Sequence, residues 1–210
     1  DIEEILNNHL YPKFGKRFTD YRNKYRNYLK DSEHKYLPDY PISVILELVN
    51  RCNLECPFCY QGYRNDAKKS TLSIEDLKKL FLEFKENKLD ALLLSQSEPL
   101  LYKDFGKILE MAEESQIMDQ FMFTNGTLLN DKNSRIILNS SLTRLFVSID
   151  AATSETYDKV RIPVNKKTLL KENRLKKIEE NVINFVNLIN SLNRKIPLVR
   201  VSFIALKTNA

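Results

Sequence analysis

Glu47-Leu-Val-Asn-Arg-Cys-Asn-Leu-Glu-Cys-Pro-Phe-Cys-Tyr60 is the stretch on which the reading of this chain turns. An apolar run, Ile42 to Val49, gives way here to a polar loop carrying Cys52, Cys56 and Cys59, the only cysteines among 210 residues. The C-x3-C-x2-C spacing lets three thiolates converge on one metal centre without help from distant parts of the fold. Zinc and a four-iron cluster are the competing occupants. Structural zinc takes four protein ligands, and the two histidines, His9 and His34, lie upstream without ligand-pair spacing. Three thiolates on a four-iron cluster leave one iron for a small-molecule ligand, so the short donor set suits iron better.

Outward from this loop the chain alternates. Ile42–Val49 reads as a strand buried on both faces of a parallel sheet. Ser73-Ile-Glu-Asp76 reads as a capping box with Asp at its last position. It opens a helix with Leu77, Leu80, Phe81 and Phe84 on one face. Further strands are expected at Ala91–Leu94, Gln120–Thr124, Arg144–Ile149 and Leu198–Leu206. Helices fall between them: one with Phe105, Ile108, Leu109 and Ala112, a short one capped by Asp131, and a long one with Ile178, Val182, Phe185, Val186 and Ile189. This order gives right-handed βαβ units. The fold class is therefore α/β, a partial parallel (β/α) barrel of about five to six units over residues 42–210. Its open edge calls for a further strand or a partner. Chemistry on such barrels collects where strands end, and the cysteines, Glu98, Asn125 and Asp150 all fall at such ends.

Residues 1–41 form a helical appendage. Phe14, Phe18, Tyr21, Tyr25 and Tyr28 recur three and four apart on one helix face, and residues 12–30 hold seven basic residues against the single acid Asp20. An aromatic stripe packed on the domain with a solvated basic back is the simpler reading; contact with RNA or an acidic peptide is the other. The run Lys166, Lys167, Lys171, Arg174, Lys176, Lys177 reads as a solvated helix face. With 42% hydrophobic and 29% charged residues the composition is that of a soluble globular protein. No apolar run approaches the roughly 20 residues of a membrane helix, and the acidic Asp1-Ile-Glu-Glu start lacks the order of a signal peptide. Clustered cysteines without an export signal point to a reducing cytoplasm. A net charge of +5 is too mild to indicate nucleic acid by itself. A first residue of Asp rather than Met reads as a piece of a longer chain.

Beyond these readings, the chain resembles the radical S-adenosylmethionine (SAM) superfamily. The resemblance rests on the cysteine spacing with aromatic Phe58 before Cys59, and on Ser95-Gln-Ser-Glu-Pro-Leu-Leu101 in the place of a Gly-rich Glu-Pro motif. Phe123-Thr-Asn-Gly126 resembles the family's ending of strand three. Ser148-Ile-Asp-Ala-Ala-Thr-Ser-Glu-Thr-Tyr-Asp-Lys-Val-Arg161 most resembles the subgroup with a C-terminal SPASM domain carrying further clusters, which would lie beyond Ala210.

The resemblance implies a [4Fe-4S] cluster on Cys52, Cys56 and Cys59, with the amine and carboxylate of SAM on the fourth iron. Glu98 would accept from that amine beside the backbone at Gln96 and Ser97. Ser148 and Asp150 would meet the ribose, and Tyr60, following Phe58 and Cys59, the adenine. Arg161 would pair with the methionine carboxylate or face the substrate. Asn125 would serve first as a turn residue with Gly126 and second as a cofactor contact. One electron from a donor such as flavodoxin or ferredoxin would cleave SAM to methionine and a 5′-deoxyadenosyl radical that takes hydrogen from a substrate. A peptide or protein is the first expectation for that substrate, and a small molecule or sugar the second. Outside the class stands a non-catalytic metal-binding or RNA-binding module. The family places glycine where Gln96 and Ser97 stand here, so either the loop avoids positive φ or SAM sits differently.

Overall fold

Five parallel strands in the order β1-β2-β3-β4-β5 make one sheet. They are β1 (Ser43–Leu46), β2 (Ala91–Leu94), β3 (Asp119–Thr124), β4 (Arg144–Ser148) and β5 (Leu198–Ser202). The computed structural model describes residues 2–30, 38–63, 70–167 and 173–209, so His34 and Lys171 lie outside the described residues. Helices α3 (Ile74–Glu86), α4 (Phe105–Glu114), α5 (Asp131–Leu138), α6 (Ser154–Val160) and α7 (Arg174–Ser191) fall between the strands. Their apolar faces, Leu77, Phe81, Ile108, Leu109, Ile137, Ile178 and Phe185 among them, bury one side of the sheet. The architecture is the expected α/β partial barrel.

The strands are not buried on both faces as expected. Leu92, Leu94, Met122, Leu145 and Val147 are buried in the core, whereas Leu93, Phe121, Phe123 and Phe146 on the alternate face are half-exposed. At the β1 edge Ile45 is exposed. The unclosed barrel leaves its inner face to an aromatic and cationic ladder. Phe123 stacks on Phe146 with centroids 4.5 Å apart, and Arg144 and Arg200 lie over Phe121 and Phe146.

Several boundaries moved for identifiable reasons. β1 stops at Leu46 because residues 48–50 turn away to pair with the returning segment, through Leu72 N–H to Leu48 C=O and Asn50 N–H to Ser70 C=O. β5 stops at Ser202 because the N–H of Ile204 goes to the Asp150 carboxylate at 2.7 Å. Ser73 caps α3, its hydroxyl accepting from Asp76 N–H. Asn130, not Asp131, caps α5, its side chain accepting from Asn133 N–H at 3.0 Å. The charged stretch after β4 contains α6, which the sequence reading left without an element.

The appendage is two helices, α1 (Ile2–Phe14) and α2 (Lys16–Lys30), broken at Gly15, which takes φ +52°. Leu6, Leu10, Phe18 and Tyr21 of this hairpin pack with Ala91 and Met118, so it covers the ends where β2 and β3 begin. Tyr21 donates to Asp119 at 2.9 Å, and Arg17 reaches the carbonyls of Lys88, Leu89 and Gln116. Tyr25 and Tyr28 remain exposed, so the aromatic stripe packs inward only from Phe14 to Tyr21. Arg22 and Arg26 pair with Glu3, and Lys16 pairs with Asp20, which neutralises much of the basic back. Among the described residues no helix is long and apolar enough to cross a membrane.

One glycine fixes the passage from β3 to the site. Gly126 has φ +74°, and a β-carbon there would meet Val147 Cγ1 at 2.9 Å and Ile178 Cγ2 at 3.0 Å. Gly126→Ala is expected to lower stability by about 2–3 kcal/mol through backbone strain and overpacking together. Chemical denaturation of the variant checks this, and a change below about 0.5 kcal/mol would contradict it.

Candidate functional site

The cysteine loop leaves the C-terminal end of β1 and is held from three sides. From behind, it pairs antiparallel with residues 162–164: Glu55 N–H donates to Ile162 C=O at 2.7 Å and Val164 N–H to Asn53 C=O at 3.1 Å, around a Leu54–Pro163 bridge. From the end of β3, Asn125 donates to Asn53 Oδ1 at 2.8 Å. From the end of β2, Gln96 is clasped by the 3-10 turn that follows Cys59, Tyr60–Tyr63. Tyr60 hydroxyl donates to both Gln96 oxygens at 3.1 Å. Gln61 Nε2 bonds Glu47 at 3.0 Å and Ser97 at 2.8 Å, and Ser97 Oγ donates to Glu47 at 2.6 Å.

The sulfurs meet hydrogen-bond donors from separate parts of the chain. Leu54 N–H lies 3.4 Å from Cys52 Sγ, Asn125 Nδ2 lies 3.6 Å from the same sulfur, and Arg161 Nη1 lies 3.7 Å from Cys56 Sγ. Such donors suit sulfur that carries negative charge. Burial pushes the Cys52 thiol up to about 11 and raises that of Cys56, against the pull of these donors. A metal that binds here must therefore displace protons. Among the described residues no group of three or more His, Cys, Asp or Glu side chains is placed to hold a single metal ion. His9 lies in α1, which packs at the opposite ends of the strands. Three thiols within eight residues of one loop, two of them met by donors, fit a cluster that takes one thiolate per iron.

Glu98 is buried under this loop. It accepts from Thr124 hydroxyl and Asn125 N–H at 2.8 Å and from Leu100 N–H at 3.3 Å, tying the end of β2 to the end of β3. Desolvation raises its pKa to about 7 despite those three donors. The protonated form is then favoured in the folded state over the unfolded one. The sign follows: the metal-free fold holds the extra proton below about pH 7, and Glu98 takes stability away as pH climbs from about 4.5 to 7. Glu98→Gln is expected to remove a decline of about 1 kcal/mol per pH unit across that window. Urea unfolding at several pH values checks this; identical slopes in the two proteins would contradict it.

Arg161 and Asp150 form a buried ion pair, and Arg161 also lies 5.5 Å over the Phe58 ring. The Asp150 carboxylate meets Arg161 through Oδ2 and Ile204 N–H through Oδ1. Both oxygens thus have a partner within the protein, and the ribose contact expected of Asp150 would share them. Asp150 holds φ +57°. Ser148 ends β4 half-buried, level with Ser202 of β5. Gln96 takes φ +86°, so the loop keeps the positive φ that the missing glycine would supply. Arg174, read from the sequence as solvated, instead bonds Asp158 and the carbonyl of Arg161.

The Radical SAM superfamily profile matches residues 46–195, from the last residue of β1 to just before β5. This chain belongs to the radical SAM superfamily. The family's cofactors are a [4Fe-4S] cluster and SAM. A probable GTP 3′,8-cyclase of Methanococcus maripaludis (strain C5) is 31% identical over 120 residues, 57% of this chain and 40% of that protein. A second, from Methanococcus aeolicus, is 30% identical over 162 residues, 72% of this chain and 53% of that protein. The chain thus spans about half the length of such relatives, or less. Among solved structures, Streptococcus suis SuiB bound to its precursor peptide SuiA superposes with a TM-score of 0.62, at 18% identity, over 89% of this chain and 38% of that one. The radical SAM protein anSMEcpe with bound AdoMet gives a TM-score of 0.59 at 17% identity, covering 77% of this chain and 43% of that one.

Around the radical SAM loop, sequence reasoning passed over Glu47, Gln61, Asn53 and Thr124. Glu47 carried a signal, as the one acid within an apolar strand run beside the cysteines. Asn53 and Thr124 directly follow and precede residues already singled out. Gln61 carried none, because its partners come from β1 and the loop after β2.

Proposed function

We propose that this chain holds a [4Fe-4S] cluster on Cys52, Cys56 and Cys59 and uses it with SAM to start hydrogen abstraction from a peptide or protein. The cluster would supply one electron that splits SAM into methionine and a 5′-deoxyadenosyl radical, which takes a hydrogen atom from the substrate. The observation that carries this reading is the convergence of three donors, Leu54 N–H, Asn125 Nδ2 and Arg161 Nη1, on two of the three loop sulfurs. They offset thiolate charge in a site that burial otherwise disfavours for anions.

Each remaining residue has a defined task. Glu98, ionised once a cation lies beside it, accepts from the SAM amine at the mouth formed by the ends of β2 and β3. Arg161, fixed by Asp150 and Phe58, steadies Cys56 and presents its remaining donors to a carboxylate; its Nε has no partner and is buried. Asp150 acts through Arg161. The half-buried Ser148 hydroxyl is left for the ribose. Tyr60, Gln96 and Ser97 close the rim over the adenine side, with Glu47 and Gln61 holding them.

A peptide substrate is supported by the likeness to SuiB, whose structure holds a precursor peptide. The named sequence relatives favour a second reading, GTP as substrate. Anaerobic reconstitution with iron, sulfide and a chemical reductant tests the class. Brown protein forming 5′-deoxyadenosine from SAM is the expected result, and colourless protein retaining one zinc per chain would sink the proposal. Stimulation of that turnover by GTP, rather than by candidate peptides, would move the assignment to the second reading.

A further inference from the structure

Three hydrogen-bond donors meet the loop sulfurs, and one of them is charged. Leu54 N–H and Asn125 Nδ2, on Cys52, are neutral. Arg161 Nη1, 3.7 Å from Cys56 Sγ, belongs to a guanidinium that is always protonated. Only 8% of Arg161 is exposed, so solvent and salt screen its charge weakly. Nη2 of the same group pairs with Asp150, which is fully buried. Asp150 is fixed in turn by the segment after β5: Ile204 N–H donates to its Oδ1 at 2.7 Å, and Asn209 Nδ2 to its backbone carbonyl at 2.8 Å. The Phe58 ring, 5.5 Å from the guanidinium, steadies Arg161 from another side. A buried cation in contact with one sulfur, and a buried anion on that cation, are thus both held by further bonds.

We propose that Arg161 and Asp150 set the reduction potential of the cluster, and that they do so in opposite senses. This rests on the reading that Cys52, Cys56 and Cys59 carry a [4Fe-4S] cluster. Uptake of one electron adds one unit of negative charge to the irons and their thiolates. Hydrogen bonds to the ligand sulfurs and nearby charge govern how readily that happens. The Arg161 N–H and its charge stabilise the reduced form and raise the potential. The Asp150 carboxylate repels the added charge and lowers it. Their balance decides which electron donors can load the site: without the carboxylate the cluster is easier to reduce and a weaker reductant, and without the guanidinium the reverse holds.

A redox titration of the reconstituted chain, followed by electron paramagnetic resonance of the reduced cluster and run without SAM, tests this. At a fixed solution potential, Arg161→Met is expected to lower the ratio of reduced to oxidised cluster about tenfold, the size of one charge-assisted bond. For one electron that is a midpoint about 59 mV lower. Asp150→Asn is expected to raise the same ratio at least about threefold. Damage that only loosened the loop would move both variants the same way, so opposite signs separate tuning from a structural role. The double variant removes both buried charges together and strands neither, and it should fall between the two singles. Iron and sulfide analysis shows which variants hold the cluster; should one single variant lose it, the other single against the double reads the same sign. Ratios within about twofold of wild type, or both singles shifted in one direction, would overturn the proposal while the cluster reading stands. A wild-type chain that takes up no cluster would overturn both.

Discussion

Replacing Cys56 with Ala is expected to lower both iron incorporation and 5′-deoxyadenosine formation by at least about a hundredfold, more than the loss of a group that only hydrogen-bonds a ligand. Three thiols on a four-iron cluster leave no spare protein ligand, and with two thiols half of the irons would lack one. Among the described residues the one histidine, His9, belongs to the hairpin at the opposite ends of the strands. Cys56 is also the thiol that Arg161 approaches, so its loss takes the sulfur from Arg161 Nη1 while the pair with Asp150 remains. The variant should fold, because Cys56 is small and the loop is also held by Glu55, Val164 and Asn125. Iron and sulfide analysis after anaerobic reconstitution, with unfolding curves alongside, makes the check. A Cys56→Ala protein that retains near wild-type iron and turnover would contradict the ligand assignment.

The second large effect concerns stability. Asp150→Ala is expected to cost about 3–5 kcal/mol, because it strands the buried Arg161 charge. That corresponds to a Tm lower by roughly 6–20 °C for a chain of this size. Three losses act together. Arg161 loses its ion-pair partner, Ile204 N–H loses its acceptor, and Ala must hold φ +57°, which an Asx residue tolerates better. Asp150→Asn keeps the backbone preference and one acceptor, so it should cost clearly less. Asp150→Ala combined with Arg161→Met removes both charges and should regain part of the loss. A single-variant cost below about 1 kcal/mol, or a double variant no better than the single, would show that the pair is not the clamp described here.

Much of the fold was legible because its signals are local. Apolar runs of strand length alternate with helical faces, and all five strands lie within the runs read from the sequence or extend one by a residue. The capping role of Ser73 was equally readable, since the cap and its N–H partner are three residues apart. What escaped were features decided by distant contacts. β1 ends early because residues 70–72 return to pair with 48–50, and β5 because Asp150 captures Ile204. Asp150 itself, at a strand end, looked free for a ligand; only the fold brings Arg161 and Ile204 to its two oxygens. At Gln96 the loop does not avoid positive φ, the first of the two options left open by the sequence, and Tyr60 grips both the side chain and the carbonyl there. The cysteines themselves, being adjacent in the chain, needed no structure to be recognised.

The contact behind the cysteine loop bears on how the protein is made. Cys56 and Arg161 are 105 residues apart in the chain, and the loop's antiparallel partner, residues 162–164, lies just beyond Arg161. A ribosome adding about 5–20 residues per second takes roughly 5–20 s to travel that distance. During that interval the three thiols emerge without their rear brace, reactive and unshielded. In a chain that folds as it is made, the rear brace of the loop is therefore complete only after translation has passed residue 164, and synonymous codons that slow the ribosome before that point would lengthen the unbraced period.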